Sequence, residues 1–189
     1  PSLAYRERHK TAEEDTNNTN AFFGGFKARP ISDWTIYFDA EHGTADNVFT
    51  RIGNYNYTNF RAKSRYAPRK DLSLNVALIT RNNANPSEIA EVSLNDFGVA
   101  TKSLVFTSSV DWQVRSDFTI DTGYNYNWLN SDAVVDYFYN SIQHPMGHSL
   151  YYVRNSFFYI DATFQFARRA TLFTSYRVNH DNGQGSRVA

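Results

Sequence analysis

Nine segments of the chain alternate apolar and polar residues, and the connectors between these segments are alternately short and long. In the third segment, the apolar residues Trp34, Ile36, Phe38 and Ala40 alternate with Thr35, Tyr37, Asp39 and Glu41. Successive side chains of a β-strand point to opposite faces, so this period of two predicts strands with one apolar and one polar face. The predicted strands cover residues 3–10, 20–29, 34–42, 55–66, 72–81, 100–113, 118–128, 150–166 and 171–180.

The connectors follow a strict order along the chain. The short ones are rich in Pro, Asp and basic residues: RPISD, APRKD, VRSD and ARRA. The long ones are polar and rich in Asn: TAEEDTNNT, GTADNVFTRIGN, NNANPSEIAEVSLNDFGV and NSDAVVDYFYNSIQHPMGH. Outer-membrane barrels have short turns at one rim and long loops at the other, whereas loop lengths in Greek-key sandwiches need not alternate. We therefore predict an all-β, up-and-down antiparallel transmembrane β-barrel, with a soluble β-sandwich as the alternative.

The predicted barrel segment occupies residues 1–189, without a separate soluble domain. Nine strands is an odd number, and a closed barrel of this type with both ends at the periplasmic rim needs an even one. The last residues, NHDNGQGSRVA, have the character of a long loop followed by the start of a returning strand. We therefore expect about nine to ten strands in this chain, and a larger barrel that continues beyond both of its ends.

Composition excludes several classes of protein. No apolar run approaches the roughly 20 residues of a membrane-spanning helix, whereas a membrane strand needs only about 9 to 11 alternating residues. The chain has no cysteine, which excludes disulfides, thiolate metal sites and covalent c-type haem attachment. Lys plus Arg and Asp plus Glu are equal at 19 each, so no overall basic field favours nucleic acid as a partner.

The apolar faces of four predicted strands carry no charge at 72–78, 104–112, 118–128 and 158–166, and in a barrel they would contact outer-membrane lipid together with the apolar face of 34–42. The residues predicted to face lipid are Trp34, Ile36, Phe38, Leu74, Val76, Phe106, Ile120, Ile160 and Phe164. Aromatic residues at the strand ends predict two girdles at the membrane interfaces. Trp34, Trp112 and Phe118 lie beside short turns, and Tyr55, Tyr57, Tyr124, Tyr126 and Trp128 lie toward the long loops. Ordinary cross-strand packing is the alternative explanation for these aromatic residues.

Charged residues on the polar faces predict a charged lumen wall. Arg61, Lys63 and Arg65 share one face of their strand, and the preceding strand offers Asp39 and Glu41 to the same side. The predicted lumen cluster consists of Arg61, Lys63, Arg65, Asp39, Glu41, Arg81, Asp121 and Asp161. Basic residues predominate among the assigned wall positions, so the wall should weakly select anions. Alternatively, these charges only neutralise one another in a wet interior.

No metal site, cofactor site or catalytic site is predicted. His144 and His148 have a spacing found in helical metal pairs, but Pro145 and Gly147 between them oppose a helix. The acidic stretch at 13–18 lacks the glycine and terminal glutamate of an EF-hand. No nucleophile elbow, phosphate-binding loop, zinc-protease motif or dinucleotide fingerprint occurs. We therefore expect that the protein is not an enzyme.

The stretch WTIYFDAEHGTADNVFTRIGNYNYTNFRAKSRYAPRKDLSLNVALITRNNANP, at 34–86, resembles large outer-membrane barrels of soil and metal-respiring bacteria. Within that group it is most similar to the barrel that sheathes a multihaem cytochrome in porin-cytochrome electron conduits. The resemblance rests on the rhythm of strands and connectors over nearly the whole chain. It implies a barrel that binds no haem itself and insulates a partner that does, and it assigns no functional residues.

Three functions follow as hypotheses. The first is an outer-membrane pore or channel for ions or small solutes in a Gram-negative bacterium. The second is a structural sheath around a plug or a partner such as a multihaem cytochrome. The third is a soluble, aromatic-rich β-sandwich that acts as a binding module and stays in solution without detergent.

Overall fold

The computed structural model describes the backbone of residues 2–12, 15–45, 56–85, 99–167 and 170–188, and the side chains of residues 20–44, 56–84, 99–133, 140–142, 149–166 and 170–183. The described chain is all-β, with ten strands in one antiparallel sheet. The all-β, up-and-down part of the prediction is therefore confirmed. The strands are β1 (Ser2–Ala12), β2 (Asp15–Ile31), β3 (Trp34–Ala45), β4 (Asn56–Arg69), β5 (Leu72–Asn85), β6 (Val99–Arg115), β7 (Phe118–Tyr139), β8 (Ile142–Ala167), β9 (Ala170–Asp181) and β10 (Gln184–Val188).

Strands β1 to β8 lie side by side in chain order, and β9 and β10 both pair with the far edge of β8. Asp181 of β9 lies opposite Asn155, and Gln184 of β10 lies opposite Tyr152. These partners follow one another along β8, so β10 continues β9 in the same direction after a break at 182–183. The two form one interrupted ninth strand, and the predicted returning strand at the end of the chain is wrong.

The sheet is open and one layer thick in the described part of the chain. β1 pairs with β2 alone, and β9 and β10 pair with β8 alone, so the described strands do not close into a barrel. Contacts between described elements join hydrogen-bonded neighbours and no others. The described residues therefore form no second sheet, and the packed pair of layers that defines a sandwich is not present among them.

No helix within the described ranges is long and apolar enough to cross a membrane.

Three two-residue turns, at 32–33, 70–71 and 116–117, lie at the same end of the strands. Each ends in an Asp whose backbone carbonyl accepts a hydrogen bond of 2.7 to 2.8 Å from a backbone N–H of the neighbouring hairpin. The strand register shifts just before each turn. Pro30 and Pro68 occupy two of these irregular positions, where the missing N–H of proline removes no regular ladder bond.

At the opposite end of the strands, two connectors differ from the prediction. β7 and β8 extend to a tight turn at 140–141, so the predicted long loop at 130–148 is wrong. Asn140 and Ser141 have φ angles of 50° and 64°, the left-handed geometry of a two-residue hairpin turn that matches the twist of antiparallel strands. β1 and β2 also pair as far as Ala12 and Asp15, where the sequence predicts a loop. The other two long connectors lie largely outside the described residues.

Cross-strand register divides the side chains of the sheet into two sets. Directly opposed positions of an antiparallel ladder project to the same face, and in the regular ladder from β2 to β9 every such pair joins two even or two odd positions. Even-numbered residues therefore form one face, here called the apolar face, and odd-numbered residues form the polar face. All residues predicted to face lipid are on the apolar face, and all members of the predicted lumen cluster are on the polar face.

The two faces bury their residues to very different extents. The most buried side chains of the described residues are Ala21, Asp39, Tyr57 and Ser73, and all four lie on the polar face. On the apolar face, by contrast, Phe22 exposes 63% of its surface. Other exposed large side chains of the apolar face are Phe26, Trp34, Tyr66, Val76, Trp112, Tyr124, Leu150, Phe158, Ile160, Phe166, Leu172, Tyr176 and Val178. On the polar face, Tyr151 and Phe173 are exposed as well, at 42% and 73%. Side chains converge on the polar face and diverge on the apolar face.

Candidate functional site

The polar face is concave. A cavity of about 490 Å³, here called the central cavity, is lined from both sides by Tyr37 of β3 and Tyr159 of β8. In a flat sheet these strands would be about 24 Å apart, at about 4.8 Å per strand. Two tyrosines at that separation would not line one cavity of this volume, so the sheet curves with the polar face inward.

Small residues create the hollow of the central cavity. Ala77, Thr107 and Ser109 lie at the middle of the polar face and contribute to the cavity lining. Lys63 and Arg65 reach the same cavity from β4. Short side chains at its centre and long ones at its margin leave space above the middle strands of the sheet.

The three basic residues of β4 differ in whether a carboxylate lies beside them. Arg61, directly opposite Asp39, places its Nε at 3.9 Å from Asp39 Oδ2. The Asp39 side chain is only 8% exposed, and this oxygen accepts no hydrogen bond from the described residues. Lys63 and Arg65 form no ion pair with any other described residue. β4 therefore carries two cations that the described carboxylates do not neutralise.

Glu41 was predicted to pair with a cation of β4. In the structure it accepts a hydrogen bond of 3.0 Å from the Tyr57 hydroxyl instead. Glu41 and Arg81 line a smaller cavity, of about 140 Å³, together with Asp39 and Arg61. The structure thus brings these four members of the predicted cluster together around one small space.

Three aspartates form a row across the other half of the polar face. Asp111, Asp121 and Asp161 lie directly opposite one another on β6, β7 and β8, and like charges in opposed positions repel. Their partners are Ser73 and Asn75 for Asp111, at 2.9 and 2.8 Å, Tyr159 for Asp121, at 3.2 Å, and Arg177 for Asp161, at 3.6 Å. Asp121 and Asp161, which were predicted in one cluster with the basic residues of β4, therefore lie on β7 and β8 in a separate acidic row.

A second large cavity, of about 720 Å³, lies beside the short turns and is here called the rim cavity. Arg65 lines both this cavity and the central one. Asp111 and Asp121 line the rim cavity, together with the turn residues Lys70 and Asp71. Basic and acidic groups thus meet at the rim, whereas no carboxylate from the described part of the chain lines the central cavity.

Tyr57 was not predicted as part of the polar face, and the aromatic girdle predicted for it is wrong. It lies opposite Gly43, and a Cβ added to Gly43 would be 2.6 Å from the tyrosine ring. Because glycine leaves this space, the Tyr57 ring packs over the backbone of β3 and its hydroxyl reaches Glu41. Tyr55 lies outside the described residues. The odd number that Tyr57 shares with Arg61 was a signal in the sequence that places it on this face.

The same arrangement recurs between β7 and β8. Tyr159 lies opposite Gly123, where an added Cβ would be 2.6 Å from the ring, and its hydroxyl donates to Asp121. In both cases the carboxylate lies two residues before the glycine, on the strand opposite the tyrosine. Two tyrosines thus cover glycines of the concave face and orient a carboxylate beside each of them.

Within the described residues, no group of three or more His, Asp or Glu side chains is arranged to hold a metal ion. The side chains of His144, His148 and the 13–18 stretch lie outside the described set. His42, one of the described histidines, lies on the apolar face with its Nδ1 at 3.0 Å from Thr58 Oγ1.

Comparison of the chain with protein-family models, with curated proteins and with solved structures gave no match.

Proposed function

We propose that this sheet is part of the wall of an outer-membrane β-barrel that forms a pore for ions or small solutes. The observation that carries the proposal is the difference between the two faces, which is the reverse of the usual polar outside and apolar inside of a soluble protein. Charged and polar groups are gathered on a concave face, while most of the exposed large apolar side chains lie on the convex one. A barrel in a membrane needs this arrangement, since its outside meets lipid and its inside meets water.

The length of the apolar stretch supports the proposal. On β7 the apolar face runs from Phe118 to Trp128 without a charged residue, which matches the roughly 9 to 11 residues of a tilted membrane strand. Beyond Trp128, Asp132 is the first charged residue on this face of β7. Lys102 lies opposite Asn130 at a similar height on β6. On the other side of β7, Arg154 lies opposite Trp128. The charged positions of the apolar face around β7 thus begin at the level of Trp128, near the end of the stretch that a lipid core would cover.

Polar groups within the apolar face also support the proposal, because several of them bond to one another. Trp34 Nε1 donates to Ser64 Oγ at 2.9 Å, and the Tyr124 hydroxyl donates to Ser156 Oγ at 3.3 Å. Thr122 donates to the backbone carbonyl of the next strand at 2.8 Å. In lipid no water is present to replace such bonds, so polar groups need partners within the protein.

The tryptophans provide a direct test of the lipid-facing side. The chain contains three tryptophans, and Trp34, Trp112 and Trp128 all lie on the apolar face. The full chain refolded into vesicles should lose most of its tryptophan fluorescence to brominated lipid and little to aqueous iodide. Strong iodide quenching without quenching by brominated lipid would mean that this face is not in the bilayer.

Ion selectivity tests the lumen. Three cations face two carboxylates on the β3–β4 hairpin, so a pore should weakly favour anions. Replacing Arg61, Lys63 and Arg65 together with Gln should shift the reversal potential across a salt gradient toward cation preference. A control that removes three charges at the short turns, with Arg69, Lys70 and Arg115 replaced by Gln, should shift it less. Equal reversal potentials in the wild type and the first variant would assign these cations a structural role.

A further inference from the structure

The central cavity has the size and lining of a site for a small organic solute. Its volume of about 490 Å³ falls within the roughly 300–1,000 Å³ typical of small-ligand sites. Hydroxyl and amide groups from several strands line it: Thr35, Asn75, Thr107, Ser109 and Asn125. These groups both donate and accept hydrogen bonds, and the rings of Tyr37 and Tyr159 flank them. The lining therefore suits a polar molecule larger than a single ion.

Charge defines what kind of polar molecule fits. Lys63 and Arg65 both line the cavity, and neither has an ion pair with another described residue. They occupy positions two residues apart on one face of β4, about 7 Å along the strand, so two long side chains can converge on one group. Arginine binds phosphate through two parallel hydrogen bonds, and lysine supplies a compact charge.

Among the described residues, no carboxylate lines the central cavity or forms an ion pair with Lys63 or Arg65, although Arg65 also reaches the rim cavity. Asp111 and Asp121 line the rim cavity and not the central one. Asp111 accepts hydrogen bonds from Ser73 and Asn75, and Asp121 accepts one from Tyr159. These bonds hold both carboxylates beside the short turns, two residues along their strands from Ser109 and Gly123.

We propose that the central cavity binds a phosphate monoester of a small hydroxylated molecule, with the phosphate between Lys63 and Arg65. A phosphate monoester carries a charge of about −1.5 to −2 at pH 7, which matches two cations. The hydroxylated body lies over the small residues of the middle strands and bonds to the Thr, Ser and Asn side chains. The proposal deepens the pore function and rests on it for the position of the cavity in the lumen.

Calorimetry on the detergent-solubilised full chain tests the site, with glucose 6-phosphate, inorganic phosphate and glucose as probes. We expect glucose 6-phosphate to bind about tenfold more tightly than inorganic phosphate, the effect of one or two net hydrogen bonds, and glucose to bind more weakly than either. Lys63→Gln and Arg65→Gln should each weaken binding of glucose 6-phosphate by about tenfold or more. Lys63→Arg, which keeps the charge, should retain binding.

Arg81→Gln is the matched control, because Arg81 has the same charge on the same face but lines a different cavity. It should leave the affinity for glucose 6-phosphate within about twofold of wild type, as expected for a substitution away from the contacts. Equal weakening by Arg81→Gln would mean general attraction of anions and would overturn the proposal. Absence of binding, or binding of inorganic phosphate as tightly as the ester, would overturn it as well.

The binding measurement does not depend on conduction, so the two proposals fail separately. A protein that conducts ions but does not bind glucose 6-phosphate would keep the pore and refute the phosphate site. A protein that binds the ester through Lys63 and Arg65 but never conducts would keep the site and refute the pore.

Discussion

The two faces of the sheet bury opposite kinds of residue. Counting the whole residue, Asp39 on the polar face is 5% exposed to solvent, whereas Phe22 on the apolar face is 63% exposed. In soluble proteins aspartate is mostly exposed and phenylalanine is mostly buried. The curved polar face buries Asp39 but leaves Lys63, Arg65 and Arg81 exposed, and nothing in the described part of the chain covers the apolar face. The comparison teaches that the two faces differ in the way that the proposed barrel wall requires, with one side toward water and the other toward lipid.

The largest effect should come from the same substitution made once on each face. Val76→Arg places a charge in the middle of the apolar face and should lower the free energy of unfolding in vesicles by about 2–4 kcal/mol, the cost of a cation at the bilayer midplane. Val105→Arg places the same charge on the polar face and should cost less than about 1 kcal/mol, because water and other polar groups solvate it there. Urea titration of vesicle-embedded protein measures both values.

Equal costs for Val76→Arg and Val105→Arg would break the comparison between the faces, since they would mean that both faces meet the same medium. A larger cost at Val105 would assign the lipid to the polar face and reverse the proposed orientation of the sheet.

An intermediate effect should follow from filling the space beside a tyrosine of the polar face. Gly123→Ala puts a Cβ where the Tyr159 ring atoms lie 2.6 to 2.7 Å away, so the ring must move and its bond to Asp121 is lost. We expect a loss of about 1–3 kcal/mol in the free energy of unfolding, the usual cost of overpacking. The same urea titration measures it.

A double-mutant cycle isolates the contact between these two residues. In a Tyr159→Ala background, Gly123→Ala should cost almost nothing, because the ring that it displaces is absent. If Gly123→Ala costs the same with and without the ring, the tyrosine does not depend on the space above glycine.

The smallest effect should appear on the apolar face, where, in the proposed bilayer location, no water would replace a lost hydrogen bond. Trp34→Phe removes the donor of the 2.9 Å bond to Ser64 and should cost about 0.5–1.5 kcal/mol in lipid. Trp112→Phe is the control, since the described residues give its indole N–H no partner. The difference between the two variants in vesicles measures the bond. No difference would indicate that water reaches this face.

The division into faces was predictable because it depends on one local rule. A strand has a period of two, and a slip of one residue would exchange the faces completely. Trp34 and Arg61 therefore fall on the sides that their own strands predict. The same rule places Tyr57 with the cations of β4, but its aromatic character and its place near a predicted loop favoured a girdle instead. Local composition was the weaker guide at this position.

Register between strands was not predictable, and the site depends on it. The sequence gives no reason for Asp111 to lie opposite Asp121, because that pairing depends on turn geometry and on where the ladder shifts before each turn. The central cavity also requires the curvature of the sheet. The extension of β7 and β8 to 140–141 was missed because polar, Asn-rich stretches are typical of loops, whereas here cross-strand pairing continues through them.

The order of the strands also governs how such a chain assembles. Each strand of β1 to β8 finds its partners immediately before and after it in the sequence, so no strand has to wait for a distant segment. Two-residue turns close their loops at little entropic cost, and the longer connections at 46–55 and 86–98 add about 0.6 kcal/mol for each doubling of length. We therefore expect the β2–β3, β4–β5, β6–β7 and β7–β8 hairpins, which have two-residue turns, to form first and to join afterwards, so that each strand pairs with its neighbour in the sequence.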